Sequence, residues 1–283
     1  MPTAPDLHYR MPHLARGARP GAHRGASLGV GQAFVAHRRL FDWPDPRRLD
    51  LRASLRTPGD DWLVRVHRQR VAVTVQAVVD VSASMRVGAP RSKLEVAGDL
   101  LHALAASAFR AGDALGLLPF DAQLREDLVV PARHARGIGA AMADALARSD
   151  ARAGAIAGLA DAVRPLAGRE ALVFLVSDFH WPLDGLPAVL DALGRAHVVP
   201  IVAWDAAETE PPARDGLVRL EDSESGARRT LWMRASLRRA WRDAAAQRRA
   251  ALDAMFAARG LHPFVLGGAF DADALSRHLL EAD

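Results

Sequence analysis

The chain has 283 residues, half of them hydrophobic and a quarter charged, with a net charge of +4 and no cysteine. That length and apolar content suffice for one large α/β domain with an appendage, or for two modest domains. The missing thiols exclude disulfides, thiolate metal sites and a cysteine nucleophile.

No run of about 18 apolar residues occurs, and no apolar stretch of a secretory signal opens the chain, so the expectation is a cytoplasmic protein without a membrane span. Every basic residue except Lys93 is arginine. The densest basic run, Arg238, Arg239, Arg242, Arg248 and Arg249, shares a predicted helix with Trp241, Leu252, Met255 and Phe256. That mixture favours a solvated helix face over a nucleic-acid footprint.

Residues 1–26 carry Arg10, Arg16, Arg19, Arg24 and three histidines among prolines and glycines. They show no hydrophobic period and are expected to form a flexible leader. Residues 27–70 read as a small β-rich appendage, with strands over 32–37 and 62–67 separated by the polar, proline-containing stretch 42–48. The main domain is expected over 71–283. It opens with the nearly continuous apolar run 71–79, rich in β-branched residues, as a central parallel strand covered on both faces requires.

A helix is predicted over 93–110, where Leu94, Ala97, Leu101, Leu104 and Ala108 form one stripe and Gly112-Asp113 ends it. A strand over 115–120, a returning strand over 124–130 and helices over 138–148 and 156–164 follow. The wholly apolar strand 171–176 ends at Ser177-Asp178. Beyond it come a helix over 186–195, a strand over 198–204 and an inserted hairpin at about 215–234. A long helix over 236–259, a strand over 263–266 and a last helix over 271–281 complete the chain. Short apolar strands alternating with amphipathic helices predict an α/β fold, a mostly parallel sheet with helices on both faces.

Ligands of such sheets bind outside the carboxyl ends of the strands. Two strands here end in aspartate, and Asp80, Ser82, Ser84 and Asp178 together offer two carboxylates and two hydroxyls. An oxygen-only set with few carboxylates suits Mg²⁺, which keeps part of its hydration shell. The competing explanation is local, because Asp and Ser also favour helix caps and turns. A Mg²⁺-dependent hydrolase or phosphotransferase using Asp80 and Asp178 is the rival activity. It lacks a phosphate-cradling Gly-x-x-x-x-Gly-Lys-Ser/Thr loop and a recognisable general base. Gly25-Ala26-Ser27-Leu28-Gly29 matches a nucleophile elbow in letters only, with no buried strand before it. The expectation is a binding protein and not an enzyme.

Asp80-Val81-Ser82-Ala83-Ser84 resembles the metal-ion-dependent adhesion site of von Willebrand factor A (vWA) domains. A second resemblance, to the domain-of-unknown-function family fifty-eight, rests on Asp45-Pro46-Arg47-Arg48-Leu49-Asp50 through Ser54-Leu55-Arg56-Thr57, on Ser92-Lys93, and on Gly112-Asp113-Ala114-Leu115-Gly116-Leu117. Val176-Ser177-Asp178-Phe179 and Asp222-Ser223-Glu224-Ser225-Gly226 extend it over most of residues 30–270.

These resemblances imply a vWA-type domain whose Mg²⁺ (or Mn²⁺ or Ca²⁺), held by Asp80, Ser82, Ser84 and Asp178, takes an Asp or Glu from a partner. Lys93, His180 and Trp181 are the candidate partner-binding residues on the same rim, and burial of Trp181 against the next helix is the competing expectation. The implied partner is a MoxR-type AAA+ ATPase or its client, in a chaperone-like assembly role. A narrower likeness is to the member of methanol-oxidation gene clusters that assists calcium insertion into methanol dehydrogenase. One position departs from the pattern. Ala155 stands where such sites take a threonine hydroxyl, so one ligand is missing.

Overall fold

The computed structural model describes residues 6–281 apart from 18, 30, 32, 60, 224 and 225. The chain divides into two compact units. The smaller holds Met11–Val73 with Ala111–Asp113, and the larger holds Met1–Arg10, Thr74–Arg110 and Ala114–Asp283. Gln32 of the first predicted strand and Glu224 and Ser225 of the predicted hairpin turn lie outside the described residues.

The smaller unit has strands β1 (Pro20–Gly29), β2 (Ala33–Arg39) and β3 (Leu63–Val71) and a short helix α1 (Leu51–Arg56). The strands form an antiparallel sheet in the order β1-β3-β2. Strand β1 arises inside the stretch expected to be a flexible leader, and Met11 and Ala15 of that stretch are buried. The physical reason is that β1 is held by pairing and by one buried polar contact, not by an apolar alternation. His23 Nδ1 accepts the Met11 N–H at 3.3 Å, which leaves the Nε2 proton to donate to Asp113 at 2.8 Å. Asp113 also takes the Val73 N–H at 2.8 Å. Asp50 caps α1 by accepting the Ala53 N–H at 3.1 Å. The Arg65 guanidinium, that cap and His37 together hold its carboxyl well below the usual range.

The larger unit alternates β4 (Thr74–Asp80), α2 (Lys93–Ala111), β5 (Ala114–Phe120), β6 (Val130–Arg133), α3 (Ile138–Arg148) and α4 (Ile156–Val163). It continues with β7 (Leu172–Ser177), α5 (Leu186–Ala192), β8 (His197–Ala203), α6 (Ala206–Thr209), β9 (Gly216–Glu221), β10 (Arg228–Met233), α7 (Ala235–Ala257), β11 (Phe264–Leu266) and α8 (Ala272–Glu281). The six-stranded sheet runs β11-β8-β7-β4-β5-β6, parallel except for β6, which returns antiparallel to β5. The expected α/β class with a mostly parallel sheet and flanking helices is therefore observed. Strands β9 and β10 pair antiparallel as a separate hairpin.

Every residue of β5 and β7 is buried, which is why both read as unbroken apolar runs. Helix α2 buries Leu94, Ala97, Leu101, Leu104 and Ala108, the predicted stripe. A core cluster gathers Phe120, Leu159, Val163, Phe179, Trp181, Leu186, Leu252 and Phe256 under the carboxyl end of the sheet. No helix among the described residues is long and apolar enough to cross a membrane.

Candidate functional site

Strands β4 and β7 are parallel neighbours with Val79 opposite Val176, so Asp80 and Ser177 arrive side by side at the carboxyl edge. Ser177 donates its hydroxyl to Asp80 Oδ2 at 2.7 Å. The other oxygen, Oδ1, accepts the Ser82 N–H at 2.9 Å, and the Ser82 and Ser84 hydroxyls lie 3.1 Å apart. A third donor comes from the loop after β7, where Trp181 Nε1 reaches Asp80 Oδ2 at 3.2 Å.

That loop is turned by Phe179, whose φ of 54° is left-handed. For a bulky residue this conformation costs on the order of 1–3 kcal/mol and persists only where the surroundings over-determine it. Here the Phe179 ring is buried against Trp181 and Phe256, with centroids 5.4 and 5.5 Å away. The Phe179 N–H also donates to Ser177 Oγ at 2.9 Å. Core packing thus fixes the turn that swings the indole onto Asp80. A side chain at position 154 would press on the same spot, because a Cβ added to Gly154 would come 2.9 Å from Ser82 Cβ.

Asp178 faces a different partner. Its Oδ2 accepts the ammonium of Lys93 at 2.7 Å, and that ammonium also donates to Glu208 of α6 at 2.5 Å. His180 Nε2 lies 3.3 Å from the same Glu208 oxygen. Asp178, His180 and Glu208 each offer a ligand atom, all within 4.8 Å of one another, a group that could hold a metal ion. Lys93 already donates to two of its three members. Burial works against ionisation of Glu208, yet the His180 hydrogen bond and the Lys93 charge bring its carboxyl down to about 2. Asp80 has no such counter-charge, so burial and the neighbouring Asp178 push its carboxyl up to about 6 against the pull of the Ser82 and Ser177 hydrogen bonds.

The sequence-selected residues therefore converge, but as two linked clusters. Asp80, Ser82 and Ser84 meet Ser177 and Trp181, while Asp178 meets Lys93, Glu208 and His180. Asp80, Ser82 and Asp178 have no exposed surface, and Ser84, Lys93 and Trp181 are 6, 4 and 6% exposed. Of the three residues singled out for partner contact, only His180 reaches the surface. Ala155 is the N-cap of α4 with no side-chain cap, its N–H donating to the Asp121 carbonyl at 3.2 Å.

Sequence reasoning missed Glu208. Its signal is the capping box of α6, Asp205 followed three residues on by Glu208, in which the Asp205 N–H donates to Glu208 at 3.0 Å. It also missed Arg125, a buried guanidinium bound to Asp121 at 3.1 Å, Asp150 at 2.7 Å and Asp127 at 2.9 Å.

Beside the Asp178 cluster lies a cleft of about 480 Å³ lined mainly by apolar atoms, with Trp204, Leu237, Trp241 and Ala244 among its walls and Glu208, His180 and Arg248 among its polar groups. The loop ties the cleft to the buried site. Trp204 Nε1 donates to the Asp178 carbonyl at 2.8 Å, and the Arg248 guanidinium donates to the carbonyls of Phe179 and Trp181.

Residues 42–251, most of the chain, match the family "Protein of unknown function DUF58". The chain belongs to this family. A comparison with curated proteins found no match. Among solved structures, the conserved hypothetical protein BatB from Bacteroides thetaiotaomicron is 15% identical with a TM-score of 0.47, the alignment covering 75% of this chain and 98% of that one. An aerotolerance-related membrane protein from Bacteroides fragilis, also 15% identical, has a TM-score of 0.43 over 75% of this chain and 98% of that one. The SpRpn10 VWA domain is 10% identical with a TM-score of 0.37, covering 75% of this chain and 96% of that domain.

Proposed function

We propose that this DUF58 protein is a non-catalytic assembly factor that docks a protein partner in the cleft beside the carboxyl edge of its sheet. The observation that carries the reading is the contrast between two neighbouring features. Asp80 and Asp178, the carboxylates a hydrolase or phosphotransferase would use, are buried and engaged by protein donors, whereas the adjoining cleft is open and largely apolar. Large apolar pockets with a few polar groups are the usual form of a binding site.

The occupant argued from charge is an acidic segment with apolar anchors. Helix α7, which forms one wall, carries Arg238, Arg239, Arg242, Arg248 and Arg249; Arg238, Arg242 and Arg249 hold exposed pairs with Asp215, Glu210 and Asp253 that a partner's carboxylates would replace. Arg249 also sits over the Trp204 ring, 5.7 Å from its centroid. Apolar side chains of the partner would cover Trp204, Leu237 and Trp241, and its carboxylates would meet the arginines of α7.

The Mg²⁺ (or Mn²⁺ or Ca²⁺) implied by the adhesion-site resemblance does not fit the arrangement. Asp80 turns one oxygen to the Ser82 N–H and the other to Ser177 and Trp181, Ala155 contributes no oxygen, and the cluster presents no open face to a partner's carboxylate. Docking in this reading uses no metal bridge. A MoxR-type AAA+ ATPase as the partner, and methanol dehydrogenase as the client, are proposals supported by the sequence resemblance alone.

The test is calorimetric titration of a MoxR-type AAA+ ATPase, the proposed partner, into the parent and into Ala244→Glu. Ala244 is an exposed helical position on the cleft wall, so glutamate there leaves the helix intact and adds repulsion toward an acidic segment. The expected result is at least a tenfold loss. Undiminished binding would remove the cleft from the reading.

A further inference from the structure

A lysine in the first turn of a helix is unfavourably placed, because the helix macrodipole is positive there. Lys93 is the first residue of α2, it is 4% exposed, and it is the only lysine in a chain that otherwise uses arginine for every basic position. A buried cation at a helix amino end needs compensation from elsewhere, and two carboxylates supply it. Its Nζ stands 2.7 Å from Asp178 Oδ2 and 2.5 Å from Glu208 Oε1. A compact ammonium on a flexible stem, with three donors, serves both acceptors although they converge from different elements.

Asp178, Glu208 and His180 form the one group of metal-ligating side chains found among the described residues, with ligand atoms mutually within 4.8 Å. Two carboxylates brought that close repel unless a cation lies with them. The cation with them here is covalently part of the chain.

We propose that the Lys93 ammonium is the resident cation of this edge cluster, that the parent protein consequently takes up no divalent ion there, and that removing the ammonium uncovers a divalent-metal site made by Asp178, His180 and Glu208. Two carboxylate oxygens and one imidazole nitrogen suit Zn²⁺ or Mn²⁺. The cluster's place in the fold, at the carboxyl edge beside the cleft, is kept, but its charge is set by the sequence and not by the metal content of the surroundings. The inference deepens the docking reading, since it makes the cleft rim insensitive to metals. It rests on that reading only for the cluster's purpose.

The experiment is calorimetric titration of Mn²⁺ and Zn²⁺ into chelator-treated full-length protein, comparing the parent, Lys93→Met and Lys93→Met with His180→Ala. Removing a fixed positive charge from the cluster should raise divalent affinity by at least about 100-fold. The expected result is one ion per chain in Lys93→Met, much weaker or no binding in the parent, and loss of the gain in the double variant. A Lys93→Met protein that folds only when Zn²⁺ or Mn²⁺ is present counts as the same result.

Three outcomes would overturn the proposal. They are saturable binding to the parent that Asp178→Asn abolishes, a folded Lys93→Met protein with no gain in affinity, and a Lys93→Met protein that metal does not rescue. Partner binding by Ala244→Glu reports separately on the docking reading, so failure of either leaves the other readable.

Discussion

Trp181→Phe isolates the single hydrogen bond that seals the Asp80 pocket. Burial and the charge of Asp178 raise the Asp80 carboxyl to about 6. At about 1.4 kcal/mol per tenfold change in acidity, holding it ionised at neutral pH costs the fold about 3 kcal/mol. Three donors limit that cost, and the indole N–H at 3.2 Å is the longest of them. A hydrogen bond to a charged group contributes about 1.5–3 kcal/mol, and the long distance places this one near the lower end. Phenylalanine keeps an aromatic ring in the core while removing the donor.

The sign follows from linkage. A carboxyl raised in the folded state binds more protons folded than unfolded between its two values, so its unfavourable contribution is present above about 6 and fades as pH falls through that value. Losing the indole donor raises it further. The destabilisation by Trp181→Phe should therefore be about 2 kcal/mol at pH 8 and about 1 kcal/mol at pH 5, where the remaining loss is packing and a bond to a neutral carboxyl. Urea unfolding of parent and variant at pH 5, 6.5 and 8 measures the difference, and the histidines common to both cancel. An equal loss at pH 5 and pH 8, or a larger one at pH 5, would refute the assignment of the indole to an ionised Asp80.

Two further substitutions probe the edges of the same site. Ala155→Thr places a hydroxyl at the N-cap of α4, where the backbone already has the extended conformation that capping needs. It should stabilise the protein by about 0.5–1 kcal/mol in urea unfolding, and a loss of stability would show that the position has no room for the cap. Arg125→Ala leaves Asp121, 1% exposed, without its guanidinium. Breaking a buried pair from one side costs about 3–5 kcal/mol, so a loss under about 1 kcal/mol would mean that water or a neighbour replaces the arginine.

The sheet was legible where burial dictates composition. Strands β5 and β7 are buried at every position and carry nearly continuous apolar sequence, and β4 differs at its exposed Thr74 and half-buried Gln76 before the buried run to Asp80. The aspartates at the ends of β4 and in the loop after β7 were legible for the same reason, since polar residues that break off an apolar run mark the sheet edge. What closes the site was not legible. The Trp181 contact depends on a left-handed Phe179, a conformation that no local signal assigns to phenylalanine. Lys93 meets Glu208 across 115 positions, and His23 meets Asp113 across 90. Strand β1 escaped because it is secured by backbone pairing and a buried histidine, so the hydrophobic alternation that identifies strands is absent from it.

The loop from Asp178 to Trp181 makes the buried cluster and the cleft mechanically one object. Its Asp178, Phe179 and Trp181 side chains face inward, with Asp178 on Lys93 and Trp181 on Asp80, while His180 and the carbonyls face the cleft, the carbonyls receiving the indole of Trp204 and the guanidinium of Arg248. A change in the charge of the inner cluster therefore has a short route outward through Glu208, which shares its oxygens among Lys93, the Asp205 N–H and His180. His180 stands parallel to the Trp204 ring at 6.4 Å on the cleft wall. An ordinary metal-dependent docking edge would vary in charge with the ion available to it. Here an ammonium fixed in the chain holds Glu208 ionised and the loop in place, and the surface offered to a partner is correspondingly constant.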